Sequence, residues 1–157
     1  MITLVKATLS DCEEIHDIRF DAFSPLLEKY KDYDTNPAAR TLEHIINNMR
    51  NDIFDFYFIK SDNKNIGYFR IKKVSDTKCY LSQIAILREY QGRGYAQEAI
   101  RQIESLYSNV KEWELTTIKQ EDKLRYLYEK MGYKFTGRKE NINEKMDTVG
   151  YEKYIGI

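Results

Sequence analysis

The chain has 157 residues, of which 42% are hydrophobic, which suffices for one domain with a packed core over residues 1–157. Lysine plus arginine and aspartate plus glutamate both total 25, so the basic excess typical of nucleic-acid-binding proteins is missing. No apolar run approaches the ~20 residues of a membrane span, and the first residues turn acidic where a signal peptide needs an apolar core. The composition therefore predicts a cytoplasmic protein with neither nucleic acid nor membrane as a partner.

The first half of the chain predicts a strand and two helices. "ITLVKA" is typical of a strand, and "SDCEEIHDIRFDAF" of a helix opened by a capping box of Ser10 and Glu13. The polar segment "SPLLEKYKDYDTNPAAR", interrupted by Pro25 and by Asn36-Pro37, is predicted as a loop. A second helix follows in "ARTLEHIINNMRND", where apolar residues recur at helical spacing.

The second half is rich in strands. "FDFYFIKS" and "IGYFRIKKV" predict a hairpin around the turn "DNKN", and "CYLSQIAI" predicts a third, more buried strand. A helix after the glycines, the strand "WELTTI", a helix "DKLRYLYEKM" stopped by Gly132 and two final strands complete the chain. The order β-α-α-β-β-β-α-β-α-β-β predicts an α/β or α+β domain around a mixed sheet.

The two cysteines predict neither disulfides nor a metal site. Cys12 and Cys79 are too few for a disulfide framework, and they favour a reducing compartment. Cys12 and His16 stand four residues apart on a predicted helix, but no second ligand pair accompanies them. Ordinary packing is the favoured interpretation, and no metal is expected.

The stretch "LREYQGRGYAQEAI" places Gly92 and Gly94 where a strand gives way to a helix. The first N–H groups of a helix are unpaired and carry partial positive charge, and glycine lets the backbone approach an anion closely. Arg88 and Arg93 add charge suited to phosphate oxygens. The pattern indicates either a pyrophosphate-binding loop or a tight turn with a glycine helix start. It is not a Walker A loop, because the "GK[ST]" ending is missing.

Two motifs resemble the GNAT superfamily of N-acyltransferases. Q-x-x-G-x-A, formed by Gln91, Gly94 and Ala96, is similar to the loop of that family that binds the pyrophosphate of acyl-CoA. "LYEKMGY" is similar to the family's late helix, with Tyr128 and Gly132 at the matching spacing. The element order also matches over essentially the whole chain. Two departures are Glu121 and Leu124, which stand where the family often has asparagine and alanine.

The resemblance implies a mixed, largely antiparallel central sheet flanked by about four helices. It implies transfer of an acetyl group from acetyl-CoA, as cosubstrate, to a small-molecule or peptide amine. The residues expected to bind the cosubstrate lie on the strand before the glycines, in the loop and on the late helix: Ile84, Ala85, Ile86, Gln91, Gly92, Arg93, Gly94, Tyr95, Ala96 and Tyr128. A non-catalytic acyl-CoA-binding or sensing module is the alternative function.

Two residues are candidates for catalysis. Tyr128 would stabilise the departing CoA thiolate through its hydroxyl, although a packed helix tyrosine is the simpler interpretation of the residue alone. The strand "CYLSQIAI" has no carboxylate, so Glu121 is the best candidate for the general base, with Glu114 a weaker one. An acidic residue in a first helical turn is also what the helix dipole favours, which is the alternative explanation of Glu121.

The substrate is expected to contact the predicted loop before the second helix. Tyr30, Tyr33, Asp34 and Asn36 combine aromatic rings with a carboxylate, which suits a cationic amine such as a polyamine or a lysine-like group. A solvated loop with tyrosines packed inward is an equally good interpretation. Pairing of the aromatic C-terminal strands across a homodimer is one option that the sequence leaves open.

Overall fold

A computed structural model of the chain describes residues 1–156. Its elements follow the predicted order: β1 (Thr3–Lys6), α1 (Cys12–Tyr30), α2 (Leu42–Met49), β2 (Phe54–Ser61), β3 (Lys64–Lys73), β4 (Lys78–Ile86), α3 (Tyr95–Leu106), β5 (Glu112–Ile118), α4 (Asp122–Lys130), β6 (Lys134–Asn143) and β7 (Met146–Tyr154). The predicted mixed sheet with four helices is confirmed. None of the helices in the described residues is both long enough and apolar enough to cross a bilayer.

The seven strands form one sheet in the order β1-β2-β3-β4-β5-β7-β6. All neighbours are antiparallel except β4 and β5, which run parallel. Within residues 1–156 this parallel pairing covers three residue pairs, from Lys78 opposite Glu112 to Tyr80 opposite Glu114. Beyond Tyr80 the two strands separate, so the sheet has a gap at its centre that exposes one edge of β4.

Apolar side chains cover both faces of the sheet. On one face, α3 and α4 pack over a core that contains Trp113, Ile100 and Tyr128. On the other, α1 and α2 bury Ile15 and Ile45 against strand residues of a second core. Each fully buried side chain of this size stabilises the fold by roughly 1.5–3 kcal/mol relative to its exposed state. The strands that border the gap are thus packed against helices on both faces of the sheet.

Helix α1 is longer than the sequence predicts. It continues through Pro25 to Tyr30, so the predicted loop begins seven residues later than the position of Ser24 suggests. Proline removes one backbone hydrogen bond and disfavours the helical conformation of the residue before it. Burial outweighs that cost here, because Tyr30 is buried in a small cluster with Ile118 and Met146. Tyr30 therefore belongs to the last turn of a helix and not to a loop.

The start of α1 also differs from the prediction. The capping box is formed by Thr8, which precedes a single 3-10 turn, and Asp11, the last residue of that turn, and not by Ser10 and Glu13. The backbone N–H of Thr8 donates to the Asp11 carboxylate over 2.8 Å. Ser10 instead lies inside that turn, where its hydroxyl bonds the side chain of Thr8 at 2.9 Å. The predicted cap thus lies two residues too far along the chain.

Candidate active site

The loop between β4 and α3 needs glycine for its backbone conformation. Gly92 has φ of 78° and Gly94 has φ of 82°, both in the left-handed region that side chains disfavour. A Cβ atom built at either position meets no atom within 4 Å. The space beside both glycines is therefore open, which leaves room for a bound group to approach the backbone.

The loop and the first turn of α3 present a continuous run of unpaired backbone donors. The first bond inside the helix runs from the N–H of Glu98 to the carbonyl of Gly94, at 3.1 Å. In the described chain, the six backbone N–H groups of residues 92–97 donate no hydrogen bond. Such donors at a helix N-terminus, together with the positive end of the helix dipole, make a binding site for phosphate groups. The geometry thus favours the anion-binding interpretation of the glycines over the plain turn.

The two arginines beside this loop have different surroundings. Arg88 pairs with Asp21 of α1, with 3.3 Å between Nε and the carboxylate, and its backbone N–H donates to the same side chain. Its charge is thus largely compensated. Arg93 lies over the ring of Tyr90 at 5.4 Å and has no carboxylate within 4.0 Å among residues 1–156. Arg93 is the residue of the two that has charge to offer a pyrophosphate.

The edge of β4 that faces the gap carries free backbone groups. The N–H of Leu87 donates to a β3 carbonyl at 2.8 Å, so Ala85, two residues earlier, also faces β3. The N–H and C=O of the alternate residues Ile84 and Ile86 therefore point into the gap. The carbonyl of Ile86 accepts a bond from the Gln91 side chain at 2.8 Å, which ties the loop to the strand. The N–H groups of Ile84 and Ile86 are left for a ligand.

A bulge in β4 lies just beyond the point where the strands separate. Consecutive residues of β3 pair with Leu81 and Gln83, so Ser82 has no partner of its own. Ser82 and Gln83 consequently project from the same face, toward α1 and α2. The Ser82 hydroxyl accepts from Arg70 Nε at 2.8 Å, and the Gln83 amide oxygen accepts from Arg19 Nη2 at 2.8 Å.

Tyr128 lies in α4 with its ring in the core and its hydroxyl without a hydrogen-bond partner in the described chain. It packs in the same cluster as Ile86 and Leu115, which belong to the two strands that border the gap. The side chain is 8% exposed, and burial raises the pKa of Tyr128 to about 12. That value lies far above the ~8.5 of an ordinary thiol. Tyr128 therefore keeps its proton and is available as a hydrogen-bond donor.

Glu121 precedes α4 and is already engaged with the end of α1. Its carboxylate accepts a bond from Lys29 Nζ at 2.7 Å and another from the hydroxyl of Tyr30. Burial alone would raise the pKa of Glu121, but the bonds from Lys29 and Tyr30 lower it overall. The weaker candidate, Glu114, pairs with Lys78 at 3.0 Å. Both carboxylates thus have cationic partners.

The four predicted substrate residues are not joined to one another. No hydrogen bond or ion pair links any two of them among residues 1–156. Tyr30 is bonded to Glu121, and Asn36 is buried and caps the 3-10 turn that follows it. Tyr33 and Asp34 are exposed, and the carbonyl of Asp34 accepts from Arg40. Of the four, Tyr30 packs against Ile118 at the end of β5, one of the two strands that border the gap.

The structure adds polar residues that the sequence did not single out as a site. A pocket of about 250 Å³ opens where β4 and β5 separate, and its lining residues come from four strands: Tyr80, Thr116, Arg138, Glu140, Thr148, Val149 and Gly150. The signal available in the sequence was the charged pair Arg138 and Glu140, which stand two residues apart in β6, a spacing that puts both on one face of a strand. The pocket lies on the face of the sheet opposite Tyr128, because Tyr80 and Thr116 alternate with residues of the Tyr128 core.

Solved structures share this fold. The spermidine N-acetyltransferase from Vibrio cholerae, in complex with CoA and spermine, has a TM-score of 0.78 at 20% identity, covering 98% of this chain and 95% of that one. The ribosomal-protein-S18-alanine N-acetyltransferase from Escherichia coli has 0.78 at 15% identity, covering 100% and 96%. The PaiA N-acetyltransferase from Thermoplasma acidophilum, in complex with coenzyme A, has 0.73 at 16% identity, covering 98% and 99%.

These identities are too low to transfer a substrate, and they establish the fold alone. No curated protein matches the sequence. The sequence profile of the Acetyltransferase (GNAT) family, however, matches residues 12–133, a span that contains the glycine loop, the gap and Tyr128. The chain therefore belongs to the GNAT family of acetyltransferases, whose fold binds acetyl-CoA.

Proposed function

We propose that the protein transfers an acetyl group from acetyl-CoA to a primary amine by direct attack of the amine on the thioester. The observation that carries this proposal is the run of six free N–H groups at the start of α3, beside the free edge of β4. The first feature suits the pyrophosphate of the cosubstrate. The second suits its extended amide-bearing arm, which would add to β4 as a strand does.

The residues around the gap supply what this reaction needs. As the N–C bond forms, the carbonyl oxygen gains negative charge, and the free N–H groups of Ile84 and Ile86 are donors for that oxygen. When the C–S bond breaks, the thiolate receives a hydrogen bond from Tyr128, whose proton stays in place because its pKa is about 12. The cationic amine must also lose a proton, which at pH 7 costs roughly 4.6 kcal/mol for an ordinary lysine-like group.

Glu121 stays the predicted acceptor of that proton. The hydroxyl of Tyr30, which donates to its carboxylate, offers a route for the transfer. The lowered pKa of Glu121 limits its strength as a base at neutral pH. The cytoplasmic location, a single domain over residues 1–157 and a homodimer also stay predictions from the sequence.

The proposal is tested by measuring release of free CoA from acetyl-CoA with a panel of amines. A transferase releases CoA in proportion to the amine supplied, whereas a non-catalytic acyl-CoA-binding module binds acetyl-CoA and releases none. We expect Tyr128→Phe to lower kcat about 10- to 100-fold, because one donor to the leaving group is lost, with little change in melting temperature.

Tyr126→Phe is the matched control for this variant. Tyr126 lies on the same helix but is 65% exposed, so its hydroxyl has no role in the proposed reaction. Its kcat should equal that of the unchanged protein. Equal activity of both variants would contradict the role of Tyr128, and absence of CoA release with every amine would contradict the transferase function.

A further inference from the structure

Two arginines on the α1/α2 face of the sheet lack a counter-ion. Arg19 of α1 is 1% exposed, and Arg70 of β3 is half-buried. Among residues 1–156, no carboxylate lies within 4.0 Å of either guanidinium. Buried arginines are normally paired with an acidic group, because removing an unpaired charge from water is costly. The pair is thus an uncompensated positive site inside the fold.

The partners of the two guanidiniums are all neutral. Arg19 donates from Nε to the Tyr68 hydroxyl at 2.9 Å and from Nη2 to Gln83 at 2.8 Å. Arg70 donates from Nε to Ser82 at 2.8 Å and from Nη1 to Asn48 of α2. These six residues form what we call the arginine cluster. Arg19 Nη1 is buried and has no partner in the described chain, so the cluster has a donor to spare.

The electrostatics of the cluster favour an anion. Burial and the charge of Arg19 lower the pKa of Arg70 to about 10, which still leaves both guanidiniums charged at pH 7. Nearby, burial and the charges of Arg19, Arg40 and Arg70 lower the pKa of His44, so its ring is held neutral. Burial is the larger cause of the lowered His44 pKa, and the arginine charges that add to it are the charges that a bound anion would offset.

The arginine cluster lies beside the place where acyl transfer is proposed. Its members Ser82 and Gln83 are the bulge residues of β4 and directly precede Ile84, whose N–H faces the gap. Tyr80, on the same face as Ser82 and about 7 Å along the strand, lines the pocket between β4 and β5. Arg138 lines the other side of that pocket. The pocket therefore has Arg138 on one side, and on the other it has Tyr80, two residues before the Ser82 that binds Arg70.

We propose that the acceptor carries a carboxylate close to its amine, as an amino acid does, and that the arginine cluster binds this carboxylate. The inference rests on the proposed transferase function and names the substrate class of that same site. Arg70 is the direct contact because it is the more accessible of the two, and Arg19 supplies a second charge behind it. The planar fork of arginine matches a carboxylate with two parallel hydrogen bonds. The expected acceptor thus differs from the polyamine-like cation that the sequence favoured.

The test compares each of the twenty standard amino acids with its own α-carboxamide, and includes spermidine as an amine without an anion. Amidation removes the carboxylate charge and leaves the amine in place. It also makes the amine less basic, so chemistry alone would favour the amide. We expect at least one acid to exceed its amide by tenfold or more in kcat/KM for CoA release.

The arginine variants localise the effect. Arg70→Gln should lower kcat/KM for the preferred acid by about 10- to 100-fold and leave that for its amide within threefold. Arg50→Gln, at an exposed position after α2 with no ion pair among the described residues, removes the same charge and should leave both values unchanged. Melting temperatures of both variants show whether they are folded. The ratio of kcat/KM for the acid to that for its amide is measured on the unchanged protein and does not depend on either variant.

The possible results distinguish the acid preference, the role of the arginine cluster and the transferase function. Turnover of amides or spermidine as fast as, or faster than, every acid would overturn the inference and leave the transferase function standing. An acid preference that Arg70→Gln does not reduce would overturn the assignment to the arginine cluster. No CoA release with any compound, in a protein that acetyl-CoA stabilises, would instead refute the transferase function itself.

Discussion

Replacing Gly94 by alanine separates backbone strain from ligand binding, because the chain contains a matched control. Gly94 has φ of 82° and Gly137 of β6 has φ of 89°, and an added Cβ meets no atom within 4 Å at either position. A side chain in the left-handed conformation costs about 1–2 kcal/mol. For a chain of this size, 1 kcal/mol shifts the melting temperature by about 2–4 °C. Both Gly94→Ala and Gly137→Ala should therefore melt about 2–8 °C lower.

The two variants should differ in their affinity for acetyl-CoA. Alanine at position 94 relaxes toward negative φ, which turns the N–H groups of the first turn of α3 away from the open space beside Gly92 and Gly94. Each phosphate charge at a helix N-terminus contributes about 0.3–1 kcal/mol. Loss of about 0.6–2 kcal/mol from the two charges of the pyrophosphate raises Kd about 3- to 30-fold. Gly137 lies in the β6 strand, away from the loop, so its variant should bind normally.

Isothermal titration calorimetry with acetyl-CoA measures both affinities, and thermal melting without ligand measures the strain. The expected result is a similar loss of stability in both variants, with weaker binding confined to Gly94→Ala. Equal affinities in the two variants would refute the assignment of the cosubstrate pyrophosphate to the start of α3, whatever the activity of the protein.

Three further changes test other features. Glu121→Gln should lower kcat at least tenfold if the carboxylate accepts the proton, whereas a lower melting temperature with kcat unchanged would show that it only ties α1 to α4. Burial would raise the pKa of Asp55, but hydrogen bonds from Tyr107 and Lys6 lower it overall; the stability from this carboxylate is present at neutral pH and lost as pH falls through the lowered pKa. Asp55→Asn should therefore cost about 1–3 kcal/mol at pH 7, and urea titrations should show the deficit shrinking as pH falls below the ordinary aspartate pKa of about 3.9; a constant deficit would refute it. Gly67→Ala places a Cβ 2.2 Å from the Ala85 carbonyl, so it should displace β4 and lower both melting temperature and acetyl-CoA affinity; binding like that of the unchanged protein would contradict this.

Local patterns in the sequence were sufficient for the element order and for the glycine loop. Alternating apolar residues, the turn at Asp62-Asn63 and the helix stop at Gly132 are signals that each extend over only a few residues. In the structure, Asp62, Asn63 and Gly132 all have the positive φ that a turn or a helix stop requires. The free N–H groups at the start of α3 follow from an equally local rule, since every helix leaves its first donors unpaired and Gly94 at the cap position has no side chain to accept a bond from them.

Features that depend on distant contacts could not be predicted in this way. Helix α1 continues past Pro25 because Tyr30 packs against residues from the far end of the chain. Glu121 meets Lys29 and Tyr30 across 92 and 91 positions of sequence. The burial of Arg19 without a counter-ion depends on contacts from α1 to the strands and has no local signal in the sequence. Long-range burial and pairing override local propensity in all of these cases.

Because of the extra residue in β4, the direction of the strand can change without changing the face on which its later side chains lie. Leu81 and Gln83 already pair with consecutive β3 residues, so omitting Ser82 would leave every later side chain of β4 on its present face and beside its present neighbour. A bulge bends its strand and increases the local twist, and the pairing of β4 with β5 stops at Tyr80, two residues before it. A single-codon deletion would thus preserve the core while straightening the strand toward β5. In a lineage of such domains, opening and closing the centre of the sheet would require one insertion or deletion and no change in the packed interior.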